Sequence, residues 1–586
     1  MTKTIKYAIS ILLLLGTAWE AVARDYLFRD GKTNYTIVVS NNASESEKTA
    51  ARELKTYLKQ IGGAEFTISE KSGYRNIFVG YCDGHKKFAK IKAFSDDDES
   101  FTYRKSGHDL LIYGGRNRGT MYGVFSFLEE QLGVRWYTAD CTVVPKQTSF
   151  RLCKLNHTEH PAIKFRRTDY YYLRFAKNGS TWSAHNKENQ WTRFLQTKYG
   201  NLEGYYGVET MPQLMPSSKY FKEHPEYYAY NKGKRIPNGQ LCLSNPEVLR
   251  ICKEAFLKMI ADNPGCQIYD ISQNDGAHLY CECEECKKIE SQYGGHSGLM
   301  LWFVNQVARE VKKTYPDVLV ATMAYLYTRQ APKNIVPDDN VVIRMGVPEA
   351  CFAHPIEAEC FVYSYAMDGK DILKDLKDWE KIAPRLYIWD YMVDYKLPTI
   401  PYPNFSILAQ NIRTYRDHHV EGIFAQACGR SRGGEFEELK NWVLMKLMWN
   451  PDQDVNSLVK DFVYGYYGTS AAKVFEYYKM CQDLVTPDTH FNHNMLADNP
   501  LFTNSFIDKS FEILNQAEDV ADNAEIRERV YKVKMQPLSL KCYRNPKASM
   551  KDGSWKELRE LFLKYEVEIG GVKAPQYIEQ FEKKYK

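Results

Sequence analysis

The sequence predicts an α/β protein built around a (β/α)8 barrel of the TIM type, preceded by a small α+β domain and followed by an α-helical domain. Three observations predict it. Short apolar strand-like runs alternate with longer helical patterns over residues 151–450, and after Asn450-Pro451 the pattern turns almost wholly helical. A length of 586 residues asks for more than one domain of ordinary size. With 44% hydrophobic and 14% aromatic residues, the chain can bury far more surface than a disordered or collagen-like one. The expected divisions are 1–23, 24–150, 151–450 and 451–586.

At the N-terminus, Lys3 and Lys6 precede an apolar run from Ile9 to Leu15, then Gly16 and the small-x-small end Ala21-Val22-Ala23. That is the pattern of a secretory signal peptide cleaved after Ala23. Its apolar core is shorter than the roughly 20 residues a spanning helix requires, and no later stretch reaches that length. No Cys stands at the cleavage site for lipid attachment. The expectation is a protein exported to the periplasm or cell surface, without a spanning segment.

In the α+β domain, residues 35–40 read as a buried strand and 42–60 as a helix, with Ser44 and Glu47 placed for a capping box and Gly62-Gly63 as its stop. Strands at 76–80 and 109–113 follow, then a helix at 121–132 and an irregular stretch at 138–147. The Gly-rich run at 114–120 lacks the Gly-Lys-Ser/Thr ending of a phosphate loop and an evident acidic ribose partner, so nucleotide binding is not expected.

The barrel strands are read at 163–169, 267–272, 319–326, 341–346, 385–390 and 422–427, with helices such as 246–262 and 298–315 between them. Two further early strands are hidden among the aromatic insertions at 170–240. The helical tail is read at 455–467, 471–484, 504–522, 525–535 and 555–565.

Barrel chemistry is built where strands end. The run Ile271-Ser272-Gln273-Asn274-Asp275-Gly276 carries an apolar strand into four polar side chains and a Gly. Asp275 can serve as a proton donor and Asn274 as an orienting carboxamide, while Asn-Asp-Gly is equally well made for an Asx turn. Residues 385–395 set Trp389, Asp390 and Tyr391 at one terminus, and Glu435, Glu437 and Glu438 follow the last strand. Paired carboxylates among aromatic rings suit glycosidic cleavage, and the 43 Tyr suit sugar faces and hydroxyls. The catalytic candidates are Asp275, Asn274, Asp390 and Glu437. The substrate-binding candidates are Arg167, Tyr325, Trp389, Tyr391 and His354. A net charge of only +5 and the lack of Lys/Arg runs argue against nucleic acid and anionic membranes, and point to an uncharged oligosaccharide. Neither His-Glu-x-x-His nor Gly-x-Ser-x-Gly occurs, so metalloprotease and serine-hydrolase chemistry have no foothold.

Of the 14 Cys, Cys82, Cys252, Cys266, Cys428 and Cys481 read as small core residues. Cys281, Cys283 and Cys286 are clustered. They can hold one tetrahedral zinc with His278 or Cys242 as fourth ligand, or form a disulfide with a distant partner. Either would brace the loop after Asp275; the reaction itself requires no cofactor.

Residues 35–62 and 119–137 resemble the small α+β domain that precedes the barrel in hexosaminidases and α-glucuronidases. Residues 271–286, with His224-Pro-Glu-Tyr-Tyr228 and Leu241-Cys-Leu-Ser-Asn-Pro246, resemble the domain of unknown function DUF4838, part of which forms glycoside hydrolase family 163. That resemblance implies a secreted glycoside hydrolase cleaving β-linked N-acetylglucosamine in N-glycans, endo-acting and retaining, with the substrate's own acetamido group as nucleophile. It would make Asn274 the residue orienting the acetamido group and Asp275 the acid/base. Most such pairs are both acidic, so Asn274 brings Asp390 or Glu437 forward as substitutes. The alternatives are an α-glucuronidase-like inverting hydrolase using Asp390 and a Glu of 435–438, and a non-catalytic glycan-binding protein.

Overall fold

A computed structural model describes residues 26–82, 85–175, 178–189, 197–200, 204–276, 279–358, 360 and 371–585. The proposed signal segment 1–23 and His278 lie outside them. The chain divides into two compact units: Met1–Pro161 with Ser180–Lys187 and Leu195–Leu202, and Ala162–Gly179 with Glu188–Phe194 and Glu203–Lys586.

The first unit is a mixed six-stranded sheet. Its strands are β1 (Tyr35–Val39), β2 (Thr67–Ser69), β3 (Arg75–Val79), β4 (Phe101–Ser106), β5 (Asp109–Gly114) and β6 (Asn156–Glu159), in the spatial order β6-β4-β5-β3-β1-β2. Every residue of β3 and β5 is buried, as befits central strands covered on both faces. Helix α1 (Glu45–Gly62) begins with the expected capping box: the Glu47 N–H donates to Ser44 Oγ at 3.2 Å and the Ser44 N–H to Glu47 Oε2 at 2.9 Å. It ends at Gly63, whose φ of 72° suits a residue without a Cβ. Helix α2 (Gly119–Ser126) follows the Gly-rich run. A Cβ on Gly115 would collide with the Asp98 carbonyl and one on Gly119 with the Ser100 carbonyl, so these glycines serve close backbone packing.

The second unit is organised by a seven-stranded, wholly parallel sheet. The strands are β7 (Phe165–Thr168), β8 (Tyr205–Tyr206), β9 (Ile268–Asp270), β10 (Leu319–Ala324), β11 (Val341–Gly346), β12 (Leu386–Tyr391) and β13 (Val420–Gln426). Their order is β7-β13-β12-β11-β10-β9-β8. Each strand lies beside its neighbour in sequence and the last returns to pair with the first, which is the order of a parallel barrel. Eight strands were expected. Among the described residues there are seven, and β7 and β8 are not paired with each other. Among the described residues of the aromatic insertions, one short strand, Tyr205–Tyr206, joins this sheet, and the chain between it and β9 is spent on brief helices, a small hairpin and helix α3 (Pro246–Asp262).

One residue from each of six strands forms an interior layer: Phe165, Tyr205, Ile268, Ala321, Val342 and Tyr387 pack as a single cluster. The seventh strand contributes Gly422, where a Cβ would meet the Tyr387 ring at 2.6 Å. Because side chains alternate along a strand, the next inward positions toward the C-terminal ends include Arg167, Arg344, Trp389 and Phe424.

The layer outside the strands includes α4 (Glu284–Tyr293), α5 (His296–Thr314), α6 (Ile372–Glu380), α7 (Phe405–Asp417) and α8 (Glu437–Trp449). The helices after residue 450 belong to the same compact unit as the sheet. They are α9 (Val455–Tyr466), α10 (Ala471–Gln482), α11 (Asn504–Asp519), α12 (Ala524–Arg544), α13 (Pro546–Asp552), α14 (Ser554–Lys564) and α15 (Ala574–Tyr585). Helix α12 runs through Pro537, past the expected end at 535. No described helix is long and apolar enough to cross a membrane.

Candidate active site

A cavity of about 380 Å³ opens at the C-terminal ends of β7, β8, β11, β12 and β13, within the size range of small-molecule sites. Its floor joins two arginines to aromatic rings. The Arg344 guanidinium lies 4.5 Å from the ring centres of Tyr205 and Trp389 and 5.0 Å from that of Phe424. The Arg167 guanidinium lies 4.7 Å from Phe424. Trp389 is fixed by its indole N–H, which donates to Gln426 Oε1 at 2.7 Å. Burial draws the Arg167 pKa down to about 10, so it is still a cation at neutral pH. Asp169, the nearest acid in sequence, pairs with Arg174 at 2.6 Å.

Acids stand around this floor. Glu209, just past β8, lines the cavity in a left-handed conformation with φ of 52°, uncommon for a residue with a side chain. Its N–H donates to Ser272 Oγ at 3.0 Å, and Ser272 in turn donates to Asp270 Oδ1 at 2.5 Å. Burial raises the Glu209 carboxyl pKa, and the charges of Asp275 and Asp270 raise it further. Asp394 lines the cavity too; burial pushes its carboxyl up to about 7. Glu568, Gly570 and Gly571, from a turn near the C-terminus, complete one side.

The sequence candidates separate on this map. Arg167 and Trp389 line the cavity. Asp275 is exposed, with the Tyr325 hydroxyl 3.5 Å from Oδ1, and its charge acts on Glu209, Tyr325 and Tyr391. Asn274 is held by its backbone: its N–H donates to Gln240 Oε1 at 3.0 Å and its carbonyl accepts from Gln240 Nε2 at 2.6 Å. Asp390 was expected to act beside Trp389, but the two project to opposite faces of β12. Asp390 is buried against α7, where Oδ2 accepts from the Tyr415 hydroxyl at 2.9 Å. Glu437 is buried in the first turn of α8, 3.9 Å from Lys532 Nζ, and does not line the cavity. Nor does His354, whose Nδ1 is 3.5 Å from Cys351 Sγ.

Sequence reasoning missed Glu209, Arg344, Asp394 and Glu568. Arg344 had a visible signal, a charge inside the apolar run Val341–Gly346. Glu209 had little, because a two-residue strand shows no periodicity. Among the scattered cysteines, Cys82, Cys252 and Cys481 are buried, Cys266 is half-buried, and Cys428 is buried but borders the cavity.

The clustered cysteines meet a fourth. Cys242, Cys281, Cys283 and Cys286 place their sulfurs within 4.8 Å of one another, with Cys242 3.6 Å from Cys283 and 3.9 Å from Cys286. Tetrahedral zinc with Zn–S bonds of about 2.3 Å sets its sulfurs about 3.8 Å apart. Hydrogen bonds from Cys281 and Cys286 hold the Cys242 thiol well below the usual thiol range, which favours a thiolate there. The donor set suits a structural cation.

Residues 136–480 match the family described as a domain of unknown function, DUF4838, and residues 23–127 match the N-terminus of glycosyl hydrolase family 67. No curated protein matches the chain in sequence. Among solved structures, a family GH115 4-O-methyl-α-glucuronidase with specificity for decorated arabinogalactans superposes over 94% of this chain and 80% of its own. Its TM-score is 0.62 and its identity 13%, which is a likeness of fold. A GH138 enzyme targeting pectin rhamnogalacturonan II aligns over 94% of this chain and 98% of its own at 11% identity, with a TM-score of 0.43.

Proposed function

The chain belongs to the DUF4838 family, and from that premise we propose a glycoside hydrolase that takes a carboxylate-bearing sugar, a uronic acid, into the strand-end cavity. The observation that carries this reading is the pair Arg167 and Arg344 on an aromatic floor. Guanidinium groups match a carboxylate with paired charge-assisted hydrogen bonds, and the rings offer apolar faces to a pyranose. An anionic sugar replaces the uncharged partner read from net charge, which averages over the whole surface and says nothing of one pocket. The family 67 match and the GH115 fold likeness support the same substrate class.

In this reading Glu209 is the general acid. Burial, with the charges of Asp275 and Asp270, raises its pKa and so favours the protonated form, and it gives its proton to the glycosidic oxygen as the bond to the anomeric carbon breaks. Asp275, exposed to water and near enough to act on Glu209, takes a proton from the water that adds to that carbon. The anomeric configuration inverts. A second reading, retaining cleavage of β-linked N-acetylglucosamine in N-glycans, rests on the Asn274–Asp275 loop and its resemblance to enzymes of 2-acetamido sugars. Export to the periplasm or cell surface suits either substrate. We also infer structural zinc at Cys242, Cys281, Cys283 and Cys286, bracing the chain that follows Asp275.

The test is digestion of uronic-acid-bearing polysaccharide fragments and complex N-glycans, read by mass spectrometry and anomer-resolved NMR. Release of uronic acid with inversion, lost in Glu209→Gln, supports the proposal. N-glycan cleavage with retention selects the second reading, and binding without any product makes the chain a glycan-binding protein.

A further inference from the structure

A second group of metal-type donors lies in the sheet-bearing unit, away from the cavity lining. Cys351 and His354 sit on the loop after β11, and Cys360 follows the short turn Ile356–Ala358. His490 arrives from the connection between α10 and α11, more than a hundred residues later. The four ligand atoms lie within 4.8 Å of one another.

The distances have the right size. Cys351 Sγ is 3.5 Å from His354 Nδ1 and 3.8 Å from His490 Nδ1, and Cys360 Sγ is 3.2 Å from His490 Nδ1. A tetrahedral zinc with Zn–S of about 2.3 Å and Zn–N of about 2.0 Å separates sulfur from nitrogen by about 3.5 Å. The outer contact also fits. His354 Nε2 is 3.0 Å from the Pro487 carbonyl oxygen, which can only accept, so the ring proton belongs on Nε2 and Nδ1 presents its lone pair to the cluster. Pro487 and His490 lie on the same connection, so one segment supplies both a ligand and the group that orients another.

We propose that Cys351, His354, Cys360 and His490 form a closed Cys2His2 zinc site that pins the loop after β11 to the connection between α10 and α11. Four protein ligands leave no open position, so the site is structural. Binding replaces the two thiol protons with one Zn²⁺ and releases two protons to solvent. The same loop carries Glu349, which pairs with Arg329 at 2.9 Å, so the metal would steady chain that flanks the strand ends. The inference does not depend on which sugar is bound.

The test is zinc stoichiometry of the full chain by native mass spectrometry and elemental analysis, after purification and reconstitution with zinc alone. With the Cys242 cluster also loaded, the expected count is two per chain, falling to one in His490→Ala and, separately, to one in Cys283→Ser. Cobalt substitution gives a second readout: the difference spectrum of wild type minus His490→Ala should show the bands of tetrahedral cobalt with two thiolates. Cys360→Ser repeats the comparison should His490→Ala fail to fold. A zinc count that neither His490→Ala nor Cys360→Ser lowers would overturn the proposal, as would a Cys351–Cys360 disulfide in the zinc-loaded protein.

Discussion

Replacing Arg344 by Met probes the cavity floor with little change of volume. Arg344 is buried among Tyr205, Trp389 and Phe424, and the unbranched Met side chain can fill much of that space. What disappears is the charge. A hydrogen bond to a charged group contributes about 1.5–3 kcal/mol, so losing the bond to a sugar carboxylate should lower kcat/KM by about 10- to 150-fold. The control is the same glycoside with its carboxylate methyl-esterified. Wild type should discriminate strongly against the ester, and Arg344→Met should discriminate less, with Arg167 left as the remaining cation in the cavity. Burial pushes the Asp270 carboxyl up to about 6 even with the Arg344 charge lowering it, so a thermal melt of the variant should accompany the kinetics. An equal fold-loss on acid and ester, with an unchanged melt, would refute a carboxylate-reading role.

Four further outcomes are expected. Glu209→Gln should lower kcat by about 10²- to 10⁴-fold on an unactivated uronoside and far less on an activated aryl uronoside, where the residual activity should lose the alkaline limb of the pH–rate profile. Asp275→Asn takes away a charge that raises Glu209, so the alkaline limb of its residual activity should move to lower pH; an unmoved limb would separate the two residues. Asp390 is raised by burial from 3.8 to about 6, so it binds its proton more tightly folded than unfolded, and stability falls as pH rises between those values. Asp390→Asn keeps an acceptor for Tyr415 and should leave activity within about twofold while stabilising the protein at pH 7, by at most about 3 kcal/mol in a denaturant titration; a large activity loss would return Asp390 to the chemistry. Gly422→Ala should destabilise by about 1–3 kcal/mol because its Cβ meets the Tyr387 ring.

The parts of this fold that were legible in the sequence are those with a long period or a local chemical signature. The capping box at Ser44 and Glu47, the strand Val341–Gly346 and the onset of the helical tail all follow from local residue order. The seam between β7 and β8 was not legible, because aromatic insertions replace a regular strand–helix alternation there. The site was half legible. Strand-end position brought forward Arg167, Trp389 and Asp275, but the identity of a residue does not say which face of a strand it takes. Trp389 and Asp390 are adjacent, and the pleat sends one to the cavity and the other to Tyr415. Cys242 was one of the two fourth ligands expected for the cysteine cluster, whereas the Cys351–His490 group depends on contacts between segments far apart in the chain, where spacing carries no signal.

The most direct test is a crystal structure of Glu209→Gln with a uronic-acid-terminated oligosaccharide. The sugar is expected in the strand-end cavity, its carboxylate within hydrogen-bond distance of Arg167 and Arg344 and its glycosidic oxygen beside residue 209. A sugar bound elsewhere, or one in the cavity with its carboxylate turned to solvent, would contradict the proposal.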